Sequence, residues 1–212
     1  MTTTKSNYPG LNLGAAHGDD HEAAETAIFG FWIFLMSDIV TFGMFFAVYV
    51  TSALNTAGGP GPKDLFSLTS VAWQTGFLLV SSVTSGLAVL NLKHEHSQSQ
   101  SPRKWLVFWL LVSVLLGIGF LQQEVRDFID IAHKGGVPSR SAWLSAFWSL
   151  VGMHGLHVSV GSLWCLVIVM GVLAQGVIQR WKHAIMSWAV FWHFLDLVWI
   201  GIFTIVFLRG LV

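Results

Sequence analysis

Five long apolar stretches, at about 28 to 53, 69 to 92, 104 to 124, 142 to 173 and 184 to 208, alternate with short polar segments along the chain. Each is long enough to cross the roughly 30 Å hydrocarbon core of a bilayer as a helix. The fourth is longer than a perpendicular crossing needs, which predicts tilt or projection beyond the membrane. Gly, Pro, Ser and charge punctuate the connections: NTAGGPGP at 55–62, HEHSQSQSP at 94–102, KGGVPSRS at 134–141, and a short turn near Gln179-Arg180-Trp181-Lys182. Residues 1–26 are polar and Gly-, Thr- and acid-rich, with no charged region leading into a cleavable apolar segment. They read as a disordered aqueous tail without a signal peptide. His17 and His21 in that tail read as solvated residues. No internal repeat is evident, so residues 27–212 are expected to form one domain. The predicted fold is all-α, an integral membrane bundle of five transmembrane helices.

Composition excludes the alternatives to that reading. With 54% hydrophobic and 10% charged residues and a mean hydropathy of +0.65, a soluble globule is implausible. The formal net charge is zero and no basic run occurs, which argues against a nucleic-acid partner. The lone cysteine, Cys165, can form no internal disulfide and reads as a small core residue. The eleven Lys and Arg divide as six (Lys5, Lys93, Arg103, Lys104, Arg180, Lys182) against five (Lys63, Arg126, Lys134, Arg140, Arg209) on the two faces. The six lie in shorter loops and the five are interspersed with Asp64, Glu124, Asp127 and Asp130. That pattern places the N-terminus in the cytoplasm and the C-terminus outside.

Ionisable residues inside the apolar runs are the candidates for chemistry, because a charge at that depth costs a few kcal/mol or more and must face protein. Asp38 is the only acid in the first span. His154 and His157 share a face of the fourth, and His193 and Asp196, three apart, share a face of the fifth. Spans one and five start on the same side and the fourth runs opposite, so all five residues are expected at similar depth and could meet near the midplane. Three readings of such a cluster stand side by side: a metal site, a bis-histidine haem, and a structural polar network. Glycines around His154 and His157 favour close helix approach over room for a cofactor.

Other features have simpler readings. Ser82 and Gly86 stand in small-xxx-small spacing and predict a helix contact. Glu124 and Asp127, one turn apart at the end of the third span, read as membrane-edge carboxylates, solvated or salt-bridged. Trp105, Trp143 and Trp181 lie near span ends, as interfacial anchors do, whereas Trp188, Trp192 and Trp199 form a stripe that reads as packing surface. No serine sits in a G-x-S-x-G context and Cys165 lacks an obvious base, so nucleophilic catalysis has little support.

Three motifs taken together narrow the reading: FGFWIFLMSD at 29–38, SAFWSLVGMHGLHV at 145–158 and FWHFLDLVWI at 191–200. In this order, and at matching depths in a five-span chain, they resemble subunit III of haem-copper terminal oxidases. The loop GGPGPKDLF at 58–66 is similar to that of the five-span form found in bo-type ubiquinol oxidases. The resemblance covers the chain from about Ile28 onward. It implies an accessory subunit in a bacterial inner membrane, with no catalytic, haem, copper or quinone site of its own. The neighbouring subunit I would hold the haems and copper, reduce oxygen to water and pump protons; subunit II and a small subunit IV would complete the complex.

By that resemblance Asp38 matches an intramembrane carboxylate of the family, Glu124 one at the end of the equivalent helix, and His154, His157, His193 and Asp196 the HGLH and WHF-x-D residues. Two helices present in longer family members are lacking, and with them one wall of a lipid-filled cleft. Lipid or the small fourth subunit would then cover the exposed face. The function expected is support of assembly, stability and proton entry in a quinol oxidase. The alternative is an independent membrane carrier or haem- or metal-binding protein using the His/Asp cluster.

Overall fold

The structure is a computed structural model that describes residues 19–59, 61–93 and 101–211. Its long elements are α1 (Asp19–Ser52), α3 (Leu68–Lys93), α4 (Ser101–His133), α5 (Ala142–Gln175) and α6 (Gln179–Ile202). A π-helical segment, Phe203–Leu208, continues α6. Single turns stand at α2 (Pro62–Leu65) and α7 (Arg209–Leu211), and a 3-10 turn at Pro138–Arg140. Among the described residues, five helices are long and apolar enough to cross a membrane. No strand occurs among the described residues.

Element boundaries follow local chemistry. The helix α5 starts where the Ser141 hydroxyl accepts a hydrogen bond from the Leu144 N–H at 3.2 Å, an N-cap. Its partner α4 stops at Gly135, whose φ of +80° a side chain would strain. There the Gly136 N–H bonds Ile131 O at 2.8 Å and the Gly135 N–H bonds Ala132 O at 3.0 Å, the paired bonds of a Schellman cap.

Three boundaries differ from expectation. Helix α1 already runs from Asp19, so the last residues assigned to a disordered tail are helical; residues 1–18 lie outside the described ones. The third span continues nine residues past 124 to His133, where Ser70 and Gln74 of α3 hold Asp127 within the protein instead of the acid ending the helix. Residues 179–182 are the first turn of α6, and the chain reverses earlier, at Gly176 to Ile178. Of the loop at 94–102, residues 94–100 lie outside the described residues.

Helices α3 and α4 form the most extensive pair; α5 touches α1, α4 and α6, and α6 also leans on α3. The tryptophan stripe of α6 is the centre of this packing. Trp188, Trp192 and Trp199 are all essentially fully buried. Trp192 fits between two glycines: a Cβ would come within 2.9 Å of its ring at Gly117 of α4 and within 3.0 Å at Gly161 of α5. Burying an indole also requires a partner for its N–H. Trp188 donates to Gly161 O (2.9 Å), Trp192 to Ser81 Oγ (2.9 Å) and Trp199 to Thr75 Oγ1 (3.1 Å).

Two packing expectations change. Trp143 is buried and donates to the Tyr49 hydroxyl at 3.2 Å, so it pins α5 to α1 instead of sitting among headgroups. A Cβ at Gly86 would touch nothing within 4 Å, so Gly86 makes no close helix contact. Ser82 does meet another helix, bonding His193 of α6 at 2.8 Å, while against α4 the contact runs through Ser81, which donates to Ser113 O (3.1 Å), and Thr84, whose Oγ1 meets Ser113 Oγ (2.7 Å).

Candidate functional site

The five intramembrane residues do not converge on one point. They resolve into two His–Asp pairs and one isolated histidine. Between α1 and α5, Asp38 Oδ2 lies 3.6 Å from His157 Nε2. The other ring nitrogen of His157 donates to Met153 O at 2.8 Å. That bond fixes the proton on Nδ1. Asp38 and His157 then face each other with Nε2 turned toward the carboxyl group. Phe42 packs against His157 at 5.2 Å between ring centroids, and Phe191 of α6 lies on the same ring at 6.4 Å.

On α6, His193 Nδ1 lies 2.8 Å from Ser82 Oγ of α3 and 3.8 Å from Asp196 Oδ2. The first is a hydrogen bond, and the second a charge contact too long to be one. Asp196 is buried while the His193 side chain is about half exposed, so this pair stands at the edge of the bundle.

His154 is fully buried and neither ring nitrogen has a hydrogen-bond partner. Its ring stacks on Trp199 (5.2 Å) and meets Phe120 (5.7 Å) and Phe42 (6.5 Å) edge-on. It is part of an aromatic layer. Among the described residues no three His, Cys, Asp or Glu are grouped as metal ligands. A bis-histidine haem needs two imidazoles facing across a gap. Aromatic rings occupy the space around both His154 and His157.

The membrane-edge carboxylates differ from their expected setting. Glu124 is only 4% exposed, and its Oε1 has no partner. Its carboxyl group abuts Gly155, where a Cβ would overlap it. Asp127 is half-buried and fully served by donors: the Ser70 hydroxyl reaches both of its oxygens at 2.7 Å and Gln74 Nε2 reaches Oδ2 at 2.7 Å. Gln123 Nε2 donates to Ser70 Oγ at 2.9 Å, which turns the Ser70 proton toward Asp127. Sequence reading missed Ser70, Gln74 and Gln123. A glutamine inside an apolar span was the available signal.

Beside this geometry stand the relatives. The model of the family described as cytochrome c oxidase subunit III matches residues 12–211. The chain belongs to the cytochrome c oxidase subunit III family. Among family members, the cytochrome bo(3) ubiquinol oxidase subunit 3 of Pseudomonas aeruginosa is 44% identical over 198 residues, covering 93% of this chain and 92% of that protein. The quinol oxidase subunit 3 of Bacillus subtilis is 38% identical, covering 93% of this chain and 97% of its own. The cytochrome c oxidase subunit 3 of Bacillus sp. PS3 is also 38% identical, over 86% of each chain. Family membership and five apolar helices agree on a multi-pass membrane protein.

Proposed function

We propose that this chain is the accessory, non-redox subunit III of a proton-pumping ubiquinol oxidase in a bacterial inner membrane. It packs beside a catalytic subunit I that carries the haems and copper, together with subunit II and a small subunit IV. The observation that carries this reading is 44% identity, across nearly the whole of both chains, to a protein named as a ubiquinol oxidase subunit 3. Its role is to hold the complex together and to support proton entry into its neighbour, with the N-terminus cytoplasmic and the C-terminus periplasmic.

The geometry supports a structural role. Asp38–His157 bridges α1 to α5, and Ser82–His193 bridges α3 to α6. These two contacts thus tie helices together, as intramembrane polar groups do where lipid offers no alternative partner. An independent haem or metal protein would need these side chains gathered, whereas they lie in separate contacts. Residues 27–212 act as one domain in this reading, with lipid or the small subunit against the exposed side of α1.

Affinity purification of the tagged chain from its native membranes tests the proposal. The expected result is co-purification with a haem-bearing subunit, in a complex that consumes oxygen with ubiquinol and not with reduced cytochrome c. Recovery of the chain alone would contradict it, and oxygen consumption with cytochrome c alone would move it to the other branch of the family.

A further inference from the structure

A cavity of about 60 Å³ lies at the end of the bundle where α3 begins and α4 ends, next to the Gly135 turn. Its charged lining comes from one end of α4: Glu124, Asp127 and Asp130 of that helix, and Lys134 just past it, all line the cavity. Spaced at three, three and four residues, they share a helix face. They form a graded series: Glu124 is buried, Asp127 half-buried, and Asp130 and Lys134 exposed. At 1.5 Å per residue the series spans about 15 Å, from the aqueous face to within the bundle.

The two inner carboxyl groups have opposite surroundings. Asp127 is held by two donors, the Ser70 hydroxyl, which lies 2.7 Å from both of its oxygens, and Gln74 Nε2. Glu124 Oε1, at the inner end, meets no donor. A buried carboxyl oxygen without a protein partner calls for water or a proton of its own. The cavity has the room, since a water molecule takes about 30 Å³ of liquid volume and needs polar neighbours, which Glu124, Gln74 and Asp127 provide. From the other elements Glu124 faces no further charge among the described residues. Val71 and Gln74 line the cavity from α3, Val151 from α5 and Phe207 from the π segment. His154, beside Gly155, has its ring on Trp199 and Phe120.

We propose that this cavity is a hydrated proton-exchange site, in which Glu124 exchanges a proton with the aqueous face through water lying along Asp127, Asp130 and Lys134. The proton leaves the Glu124 carboxyl for a cavity water and passes outward as a hydrated proton, with no other bond changed. Lys134 and Asp130 form the mouth, and Asp127, held in place by Ser70 and Gln74, lines the path between the mouth and Glu124. By the loop-charge reading this mouth opens on the outer face, opposite to the proton entry proposed above, and the site stands independently of which oxidase the chain serves.

Infrared difference spectroscopy on the purified complex tests it. A pH step should give a carboxyl C=O band that shifts in D2O and disappears in Glu124→Gln. Filling the cavity with Val151→Phe should slow hydrogen–deuterium exchange of that band by roughly tenfold or more, because the water that carries the exchange no longer fits. Should that variant fail to assemble, Val151→Ile adds one methylene and should slow exchange by about threefold on the same reasoning. A Glu124 band that ignores both pH and D2O, or exchange at the native rate in an assembled cavity-filled variant, would overturn the proposal.

Discussion

The carboxyl group of Glu124 occupies the space that a Cβ at Gly155 would take. Glycine within the helix α5 is therefore a requirement of the opposing side chain on α4. Gly155→Ala should destabilise the chain by about 1–3 kcal/mol, as overpacking of a filled core does. Glu124→Ala should relieve most of that cost, so the double variant should be more stable than the sum of the singles predicts. Thermal unfolding of the four proteins checks it, and strict additivity would show that the two positions do not compete for space.

Asp38 and His157 join α1 to α5 at 3.6 Å, and His157 keeps its bond to Met153 whatever Asp38 carries. Asp38→Asn preserves shape and abolishes titration. We expect that variant to assemble fully and to turn over within about twofold of the parent complex, since a neutral amide in this pair keeps the packing and the contact. Full assembly combined with clearly slowed oxygen consumption, above all at high pH, would assign Asp38 to proton delivery instead.

Asp196 is buried beside His193, which in turn holds Ser82 of α3. Asp196→Asn should leave the amount of subunit retained in the complex unchanged. Asp196→Ala, by contrast, leaves a gap in the packing of α6 beside His193 and should lower the amount of subunit retained. Quantifying the subunit in purified complexes separates the two variants; equal loss from both would show that the negative charge itself is needed.

His154 makes the opposite prediction. Its nitrogens have no partners and its neighbours are aromatic. An apolar side chain of similar size leaves nothing unsatisfied, so His154→Leu should change stability by less than about 1 kcal/mol or raise it. A drop of several degrees in the unfolding midpoint would reveal a hydrogen bond that the packing does not display.

How far the sequence could be read follows from what kind of signal each feature leaves. The five spans are legible because a run of some 20 apolar residues is sufficient by itself to mark a crossing. Asp38, His157, His193 and Asp196 are equally visible, being ionisable groups in such runs. Which helix each one faces is not visible. A helix that is apolar all round keeps no amphipathic stripe to report its buried side. Hence Gly86 looked like part of the contact face of α3 although its Cβ position is open, whereas Ser82 does meet α6 and Ser81 and Thr84 meet α4, and Trp143 looked interfacial although it is buried against Tyr49. The extension of α4 to His133 escaped for a related reason. Its acidic residues signal water in sequence, and only Ser70 and Gln74 on another helix reveal that Asp127 is held by protein.

An optical and metal assay of the subunit separated from its complex tests whether this chain supports a redox enzyme without holding a redox centre. All haem absorbance and all copper and iron should remain with the partner subunits, leaving this chain colourless and metal-free. A Soret band or a metal present in one-to-one ratio with the separated chain would contradict it, and would return the His154, His157 and His193 histidines to the role of ligands.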